Sequence, residues 1–114
     1  MIKLIALVKK KPTMSTAAFR EYWVNVHAPL ARAIPGMRGY RINVADDPGS
    51  MPAAPYDGSA EIWFDDRAAM EAGLSSPQND TAGADVENFT ADLVFMVCED
   101  EAVIIDQTAR EHAS

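Results

Sequence analysis

The first segment of the sequence predicts a strand that is apolar on both faces. Over residues 1–8 the side chains alternate. One face carries Ile2, Leu4, Ala6 and Val8, and the other carries Lys3, Ile5 and Leu7. A strand of this kind has to be covered on both sides. In a chain of 114 residues, helices can cover one side, and a second copy of the chain is the simplest cover for the other.

Later segments switch between strand and helix periodicity. The predicted elements are a helix from Ser15 to about His27, a turn Leu30–Ala33, strands Arg38–Ala45 and Ser59–Asp65, helices Arg67–Leu74 and Asn79–Thr90, and strands Asp92–Glu99 and Ala102–Ile105. The order β-α-β-β-α-β, with one extra strand, favours an α+β ferredoxin-like split βαβ sandwich with an antiparallel sheet. Two such sheets would close into a dimeric α/β barrel, with the extra strand joining the subunits at an edge. We predict one domain over residues 1–105 and a frayed tail over 106–114.

Turn and cap residues set the expected element ends. Ser15 or Thr16 can cap the first helix, and Asp65 or Asp66 the helix that follows the third strand. Ala28 precedes a proline, which disfavours helical angles, so we expect a break there. The loop at residues 46–57 is long for a hairpin connection, and long ordered loops often form lids or rims.

Composition and charge argue against several classes of partner and indicate the cellular compartment. The formal net charge of −7 disfavours nucleic acid and anionic membranes, because phosphate would be repelled. The sequence lacks an apolar run of membrane-spanning length. A single cysteine excludes an internal disulfide and suits a reducing compartment. In the N-terminal segment the apolar residues precede the lysines, the reverse of a secretory signal, so we expect a cytoplasmic protein.

An aromatic stripe on the first helix predicts the wall of a pocket. At 100° per residue, one face collects Phe19, Tyr22, Trp23, Val26 and Leu30. His27 follows Trp23 by one turn and falls at the edge of this stripe. An imidazole at the rim of an apolar pocket can take and return a proton, so His27 is the candidate catalytic residue. The alternative is a structural histidine bound to a backbone carbonyl or interacting with the helix C-terminus.

Other aromatic and charged residues are candidates for substrate binding. Phe19, Tyr22 and Trp23 either line the pocket or pack in the core. Tyr40 and Trp63 lie on predicted strands and could line the same cavity, depending on strand register. Arg38 could bind a substrate carboxylate or lie in solvent at the end of a strand.

Metal and thiol chemistry have little support in the sequence. The two histidines, His27 and His112, are too far apart in sequence to give a ligand spacing, so we predict no metal site. Cys98 falls in an apolar strand and is expected to be an inert core thiol. We expect no cofactor, although one histidine could serve as the proximal ligand of a haem.

Several short motifs lie along the chain: MIKLI at residues 1–5, KKKP at 9–12, FREYW at 19–23, HAPL at 27–30, PGMRGY at 35–40, YDG at 56–58, EIWFDD at 61–66 and DVENF at 85–89. Together they resemble the EthD family, named for its association with the degradation of ethyl tert-butyl ether. The resemblance extends to about Glu101, and its most specific part is the FxxYW…HAP segment.

The resemblance implies a homodimeric α/β barrel of ferredoxin-like subunits. Similar proteins include muconolactone-type isomerases, polyketide cyclases, dehydratases and cofactor-free monooxygenases, and many have no assigned reaction. His27, with Tyr22 and Trp23 beside it, lies on the most specific part of the family motif. No complete catalytic set is therefore carried over by the resemblance.

Three functions follow from these observations. The first is an enzyme of small-molecule catabolism that isomerises, cyclises, dehydrates or oxygenates a small apolar, oxygenated metabolite, with His27 as general acid or base. The second is a non-catalytic accessory protein that holds such a metabolite for a neighbouring oxygenase. The third is a haem-binding dimeric barrel.

Overall fold

The computed structural model describes residues 1–45 and 54–99, whose elements follow the predicted order. The predicted strand Ala102–Ile105, the tail 106–114 and most of the loop 46–57 lie outside the described residues. The strands are β1 (Ile2–Lys10), β2 (Gly39–Val44), β3 (Gly58–Phe64) and β4 (Thr90–Glu99). The helices are α1 (Thr16–Tyr22), α2 (Ala28–Arg32), α3 (Arg67–Leu74) and α4 (Pro77–Asp85), with a π-helical turn at Trp23–His27 and a 3₁₀ turn at Val86–Asn88.

The four strands form one antiparallel sheet in the order β2-β3-β1-β4. In its central rows, Leu4 lies opposite Ile62 on one side and Val97 on the other. This architecture confirms the predicted ferredoxin-like α+β fold. The side chains of β1 that face the helices are buried, from Ile2 to Val8 at alternate positions.

The core lies between the sheet and the helices in two neighbouring clusters. One cluster surrounds Phe64 and Met70, and the other surrounds Phe19, Trp23 and Phe89. Phe19, Trp23, Phe64 and Phe89 are the largest fully buried side chains. Burial of an aromatic side chain of this kind contributes about 1.5–3 kcal/mol, so these four rings anchor the helical layer on the sheet.

The first helix does not break before Pro29, and that prediction is wrong. Ala28 has helical angles, φ −56° and ψ −40°, and its amide donates to the carbonyl of Trp23, five residues earlier. In the π turn each amide bonds to the carbonyl five residues earlier instead of four, and this change comes just before the proline. Because Pro29 has no amide hydrogen, it leaves no backbone donor unpaired there. The chain therefore remains helical from α1 through the π turn into α2.

The π turn also changes which residues of the predicted aromatic stripe face the core. Val26 is 45% exposed, whereas His27 is only 7% exposed and lies on the buried side with Trp23. A π turn contains more residues than the 3.6 of an α-helical turn. His27, four residues after Trp23, therefore stays on the side of the helix that faces the core. Ala31, one turn later, is also buried.

Side-chain caps start the helices at three places. Ser15 Oγ accepts from the amide of Ala18 at 3.1 Å, and Asp66 Oδ1 accepts from the amide of Ala69 at 2.8 Å. Ser76 caps α4, which therefore begins at Pro77, two residues before the predicted start.

The face of the sheet that points away from the helices has an apolar half and a polar half. Its β1–β4 half is apolar, because Ile5 lies opposite Met96 and Leu7 opposite Val94. Met96 is 55% exposed and Val94 44% exposed. Its β2–β3 half carries the charged and amide side chains Arg41, Asn43 and Glu61.

Two helical glycines give a matched test of the packing. A Cβ on Gly73 would lie 2.6 Å from the Pro35 carbonyl oxygen and 2.9 Å from the Phe64 ring, whereas a Cβ on Gly83 would meet no atom within 4 Å. We expect Gly73→Ala to lower the free energy of unfolding by about 1–3 kcal/mol. Gly83→Ala should raise it by about 0.5–1 kcal/mol, because alanine favours a helix.

Urea denaturation of both variants checks this prediction. Equal effects of the two substitutions would contradict the close contact of α3 with the residues around Pro35.

Candidate active site

A buried histidine and a buried carboxylate form the centre of the site. His27 Nδ1 lies 2.9 Å from Asp85 Oδ2, and each side chain is only 9% exposed. His27 ends the π turn and Asp85 ends α4, so the pair joins the two helical segments across 58 residues of sequence.

The second oxygen of Asp85 is also occupied. Asp85 Oδ1 accepts from the Tyr22 hydroxyl at 2.6 Å and from Asn88 Nδ2 at 3.0 Å. Burial raises the pKa of Asp85, but the hydrogen bonds from Tyr22, Asn88 and His27 outweigh it and leave the pKa below its ordinary value. The same hydrogen bond to Asp85 raises the pKa of the Tyr22 hydroxyl. At neutral pH the site therefore holds an ionised carboxylate beside a protonated phenol.

The carboxylate fixes the tautomer of the histidine. An ionised carboxylate only accepts hydrogen bonds, so His27 Nδ1 must carry a hydrogen and donate it to Asp85. In the neutral ring the lone pair is then on Nε2. Within residues 1–45 and 54–99, no side chain hydrogen-bonds to Nε2, and no fully buried side-chain nitrogen or oxygen lacks a partner. Nε2 therefore remains accessible.

A cavity of about 490 Å³ borders His27. His27 lines this cavity together with mostly apolar side chains from the sheet, from α4 and from the segment that follows it. Its walls include Leu4, Ala6, Ile62, Ala82, Phe89 and Leu93. Cavities of this size and polarity hold small organic molecules.

Phe89 fixes the imidazole from the side. Its ring centroid lies 4.8 Å from that of His27, 5.4 Å from Tyr22 and 6.0 Å from Trp23. These are ordinary distances for aromatic pairs. The ring thus packs against three of the side chains that surround the acid–base pair.

Trp23 and Tyr40 form a second hydrogen bond between side chains that line the cavity or support it. Trp23 Nε1 donates to the Tyr40 hydroxyl at 3.1 Å, and both residues line the cavity with His27. Burial raises the pKa of Tyr40, and the hydrogen bond from Trp23 opposes this only in part.

Two of the predicted substrate-binding residues do not line the cavity and instead contact residues of the site. Phe19 is fully buried and packs on Trp23 with a centroid distance of 5.2 Å, but it does not line the cavity. Tyr22 also lies outside the cavity wall and instead places its hydroxyl on Asp85.

Trp63 and Arg38 lie outside the His27 cavity. Register places Tyr40 opposite Ile62 on the helix side, so the neighbouring Trp63 points to the other face, where Lys3 and Arg41 lie over its ring. Arg38 makes two 2.9 Å contacts with Asp65 in solvent. It borders a separate groove of about 610 Å³.

Asp85, Asn88 and Phe89 were not predicted as site residues. They lie in the DVENF motif quoted for the resemblance, with Asp85 and Asn88 three residues apart and so on one side of a helical turn. The contacts of Asp85 and Phe89 with His27 span more than 50 residues of sequence, and sequence periodicity does not predict such contacts.

Neither a cluster of metal ligands nor a membrane-spanning helix is found among the described residues. No group of three or more His, Cys, Asp or Glu side chains within the described ranges could hold a metal ion. No described helix is long and apolar enough to cross a membrane.

The lowered pKa of Asp85 predicts how stability depends on pH. The carboxyl is more acidic in the folded chain than in the unfolded chain, so its contribution is complete above the unfolded pKa and is lost as pH falls through the folded pKa. The free energy of unfolding of the wild type should therefore fall relative to that of Asp85→Asn between about pH 5 and pH 3.

Denaturant titrations of the two proteins across this range measure the difference. Asp80→Asn, on the exposed side of the same helix, is the control and should change much less. A constant difference between wild type and Asp85→Asn would contradict the arrangement.

Several solved structures share this fold. An EthD family protein from Bacillus halodurans is 29% identical, with a TM-score of 0.76, and the match covers 89% of this chain and 99% of that chain. A dimeric ferredoxin-like protein of unknown function from Thermobifida fusca is 23% identical, with a TM-score of 0.66 and coverage of 85% and 88%. SnoaB, a cofactor-independent oxygenase from Streptomyces nogalater, is 10% identical, with a TM-score of 0.68 and coverage of 92% and 97%.

The sequence itself identifies the family. An uncharacterised 11.0 kDa protein from the thcB–thcC intergenic region of Rhodococcus erythropolis is 30% identical over 89 residues, which are 78% of this chain and 85% of that protein. The EthD domain model matches residues 11–92, a range that includes His27, Asp85 and Phe89. The chain therefore belongs to the EthD family.

Proposed function

We propose that the chain is an enzyme that binds a small apolar, oxygenated metabolite in the His27 cavity and moves a proton on it. His27 Nε2 is the general base and, once protonated, the general acid. The proposal covers isomerisation, cyclisation, dehydration and cofactor-free oxygenation, because each of these reactions can begin with removal of a proton from carbon or oxygen.

The observation that carries this proposal is the occupation of His27 Nδ1 by Asp85, 2.9 Å away. The carboxylate holds the ring in the tautomer that leaves a lone pair on Nε2 and stabilises the imidazolium that forms when Nε2 takes a proton. Nε2 makes no hydrogen bond within the described residues, so its lone pair is free to accept a proton from a bound ligand. General acid–base catalysis of this kind contributes about 10²–10⁴-fold to a rate.

The cavity favours an apolar substrate with few polar groups. Its walls are largely aliphatic and aromatic, and the polar side chains among its lining residues include His27, Tyr40, Asn79 and Thr90. Catalysis without a cofactor is compatible with this fold, because SnoaB has the fold and is a cofactor-independent oxygenase.

Substitution of the acid–base pair tests the proposed reaction. With a panel of small cyclic ketones and unsaturated lactones, we expect His27→Ala to lower kcat/KM by about 10²–10⁴-fold, because the base is lost. Asp85→Asn should lower it by up to about 10⁴-fold, because the tautomer is no longer fixed. Val26→Ala changes the exposed neighbour of His27 and should have little effect.

The turnover of each compound is followed by proton NMR, with circular dichroism to check the fold. An unchanged rate in His27→Ala would contradict the proposal. Ligands that bind in calorimetry but are never converted by the wild type would instead support a non-catalytic protein that holds a metabolite for an oxygenase.

We also propose that the working form is a homodimer. The apolar half of the outer sheet face leaves Met96 and Val94 about half exposed, and β4 lies at one edge of the sheet that the described residues form. On the helix side of the same strand, Phe95 is 56% exposed and Val97 43% exposed. Contiguous apolar surface of this kind is typical of an interface, and the Thermobifida fusca protein with this fold is dimeric.

A charge on the outer face should separate the subunits. Met96→Asp would bury a carboxylate in the proposed interface, and a buried charge without a partner is costly. We expect the wild type to sediment as a dimer and Met96→Asp as a folded monomer, while Val26→Asp, a charge at a similarly exposed apolar residue on the helical layer, remains dimeric. A monomeric wild type at micromolar concentration would contradict the proposal.

A further inference from the structure

The contact between Trp23 and Tyr40 leaves one hydrogen unused. The indole N–H of Trp23 can only donate, so the Tyr40 oxygen is the acceptor of their 3.1 Å hydrogen bond. The hydroxyl hydrogen of Tyr40 is still available for a second bond. Within the part of the chain that the structure describes, no side chain or carbonyl accepts it.

Tyr40 borders the cavity of the candidate active site and also the groove beside Arg38. Tyr40 lies opposite the buried Ile62 in the sheet and therefore on the helix side, and it lines the cavity together with Trp23 and His27. Trp23 precedes His27 by one helical turn, and its indole nitrogen holds the Tyr40 oxygen. Tyr40, which carries the free donor, and His27, which carries the free Nε2, thus both line one cavity.

We propose that the Tyr40 hydroxyl donates a hydrogen bond to the carbonyl oxygen of the substrate and stabilises the enolate oxyanion that forms there. This inference rests on the proposed function of His27 and specifies its substrates. They are ketones, lactones or related carbonyl compounds with a removable hydrogen on the carbon next to the carbonyl group.

The proton transfer balances within the site. His27 Nε2 takes the proton, the C–H electron pair becomes a carbon–carbon double bond, and the carbonyl π electrons move to oxygen, where Tyr40 stabilises the charge. In a substrate with a carbon–carbon double bond β,γ to the carbonyl, the enolate is a dienolate. Nε2 then returns its proton to the γ carbon, the carbonyl reforms, and the product is the α,β-unsaturated isomer. A 1,3-shift of hydrogen results, with no oxidant or reductant.

Two features of the surroundings suit Tyr40 to this task. The hydrogen bond that it accepts from Trp23 polarises its hydroxyl and strengthens it as a donor. Burial raises the pKa of Tyr40, so the hydroxyl keeps its hydrogen across the neutral range. Tyr22 differs, because its hydroxyl hydrogen is already committed to Asp85.

A pair of ligands that differ in one group tests the donor directly. 4-Nitrophenolate carries an oxyanion that mimics an enolate, and nitrobenzene has the same ring and nitro group without it. At a pH where free 4-nitrophenol is ionised, we expect Tyr40→Phe to weaken 4-nitrophenolate binding by about tenfold to hundredfold. Binding of nitrobenzene should change by less than about twofold, because Phe preserves the wall of the cavity.

Tyr56→Phe is the matched control, because Tyr56 lies beside Lys9 and does not line the cavity. It should leave the binding of both ligands unchanged. Dissociation constants come from calorimetry, and thermal melting confirms that each variant is folded.

The outcomes separate this inference from the function on which it rests. Equal binding of 4-nitrophenolate by wild type and Tyr40→Phe, or equal weakening of both ligands by the substitution, would overturn the role of Tyr40 and leave that of His27 intact. Failure of the wild type to bind either ligand would contradict the proposed cavity itself.

Discussion

The Asp85 carboxylate is the interaction on which the candidate site depends. It is buried, and a buried carboxylate is tolerated only where donors surround it. Here Tyr22 and His27 reach it from the first helical segment, and Asn88 reaches it from the turn that follows α4. One carboxylate therefore holds two separate parts of the helical layer in place and orients the imidazole.

The helix that carries His27 is shaped to meet this carboxylate. A regular α-helix would rotate successive positions four residues apart away from the core. The π turn at Trp23–His27 takes up extra residues and keeps Trp23, His27 and Ala31 on the buried side. π turns inside helices are frequent at functional sites. This one begins at Trp23, which donates to Tyr40, and ends at His27, which contacts Asp85.

Much of the fold follows from local patterns in the sequence. Alternation along β1, the turn residues and the caps at Ser15 and Asp66 indicate the order and type of the elements, and the structure agrees with them. The continuous helix across Pro29 was missed, because a rule about one dipeptide cannot anticipate a change of hydrogen-bond register in the preceding turn.

Only some residues of the candidate site could be predicted from the sequence. His27 and Trp23 stand out because they are rare residue types at helical spacing. The sequence could not show whether Tyr40 or Trp63 lines the cavity, because the face to which a strand residue points depends on register. In the structure, Tyr40 lines the cavity and Trp63 points to the other face of the sheet. Asp85 resembles any acidic residue near the end of a polar helix until the fold brings it to His27.

The central claim is that Asp85 holds His27 in the tautomer with hydrogen on Nδ1 and a lone pair on Nε2. Nitrogen-15 NMR of the labelled imidazole, at a pH where the ring is neutral, measures this directly. The account predicts a protonated Nδ1 and an unprotonated Nε2 in the wild type, and a change in that distribution in Asp85→Asn. A wild-type ring with its hydrogen on Nε2 would contradict the account.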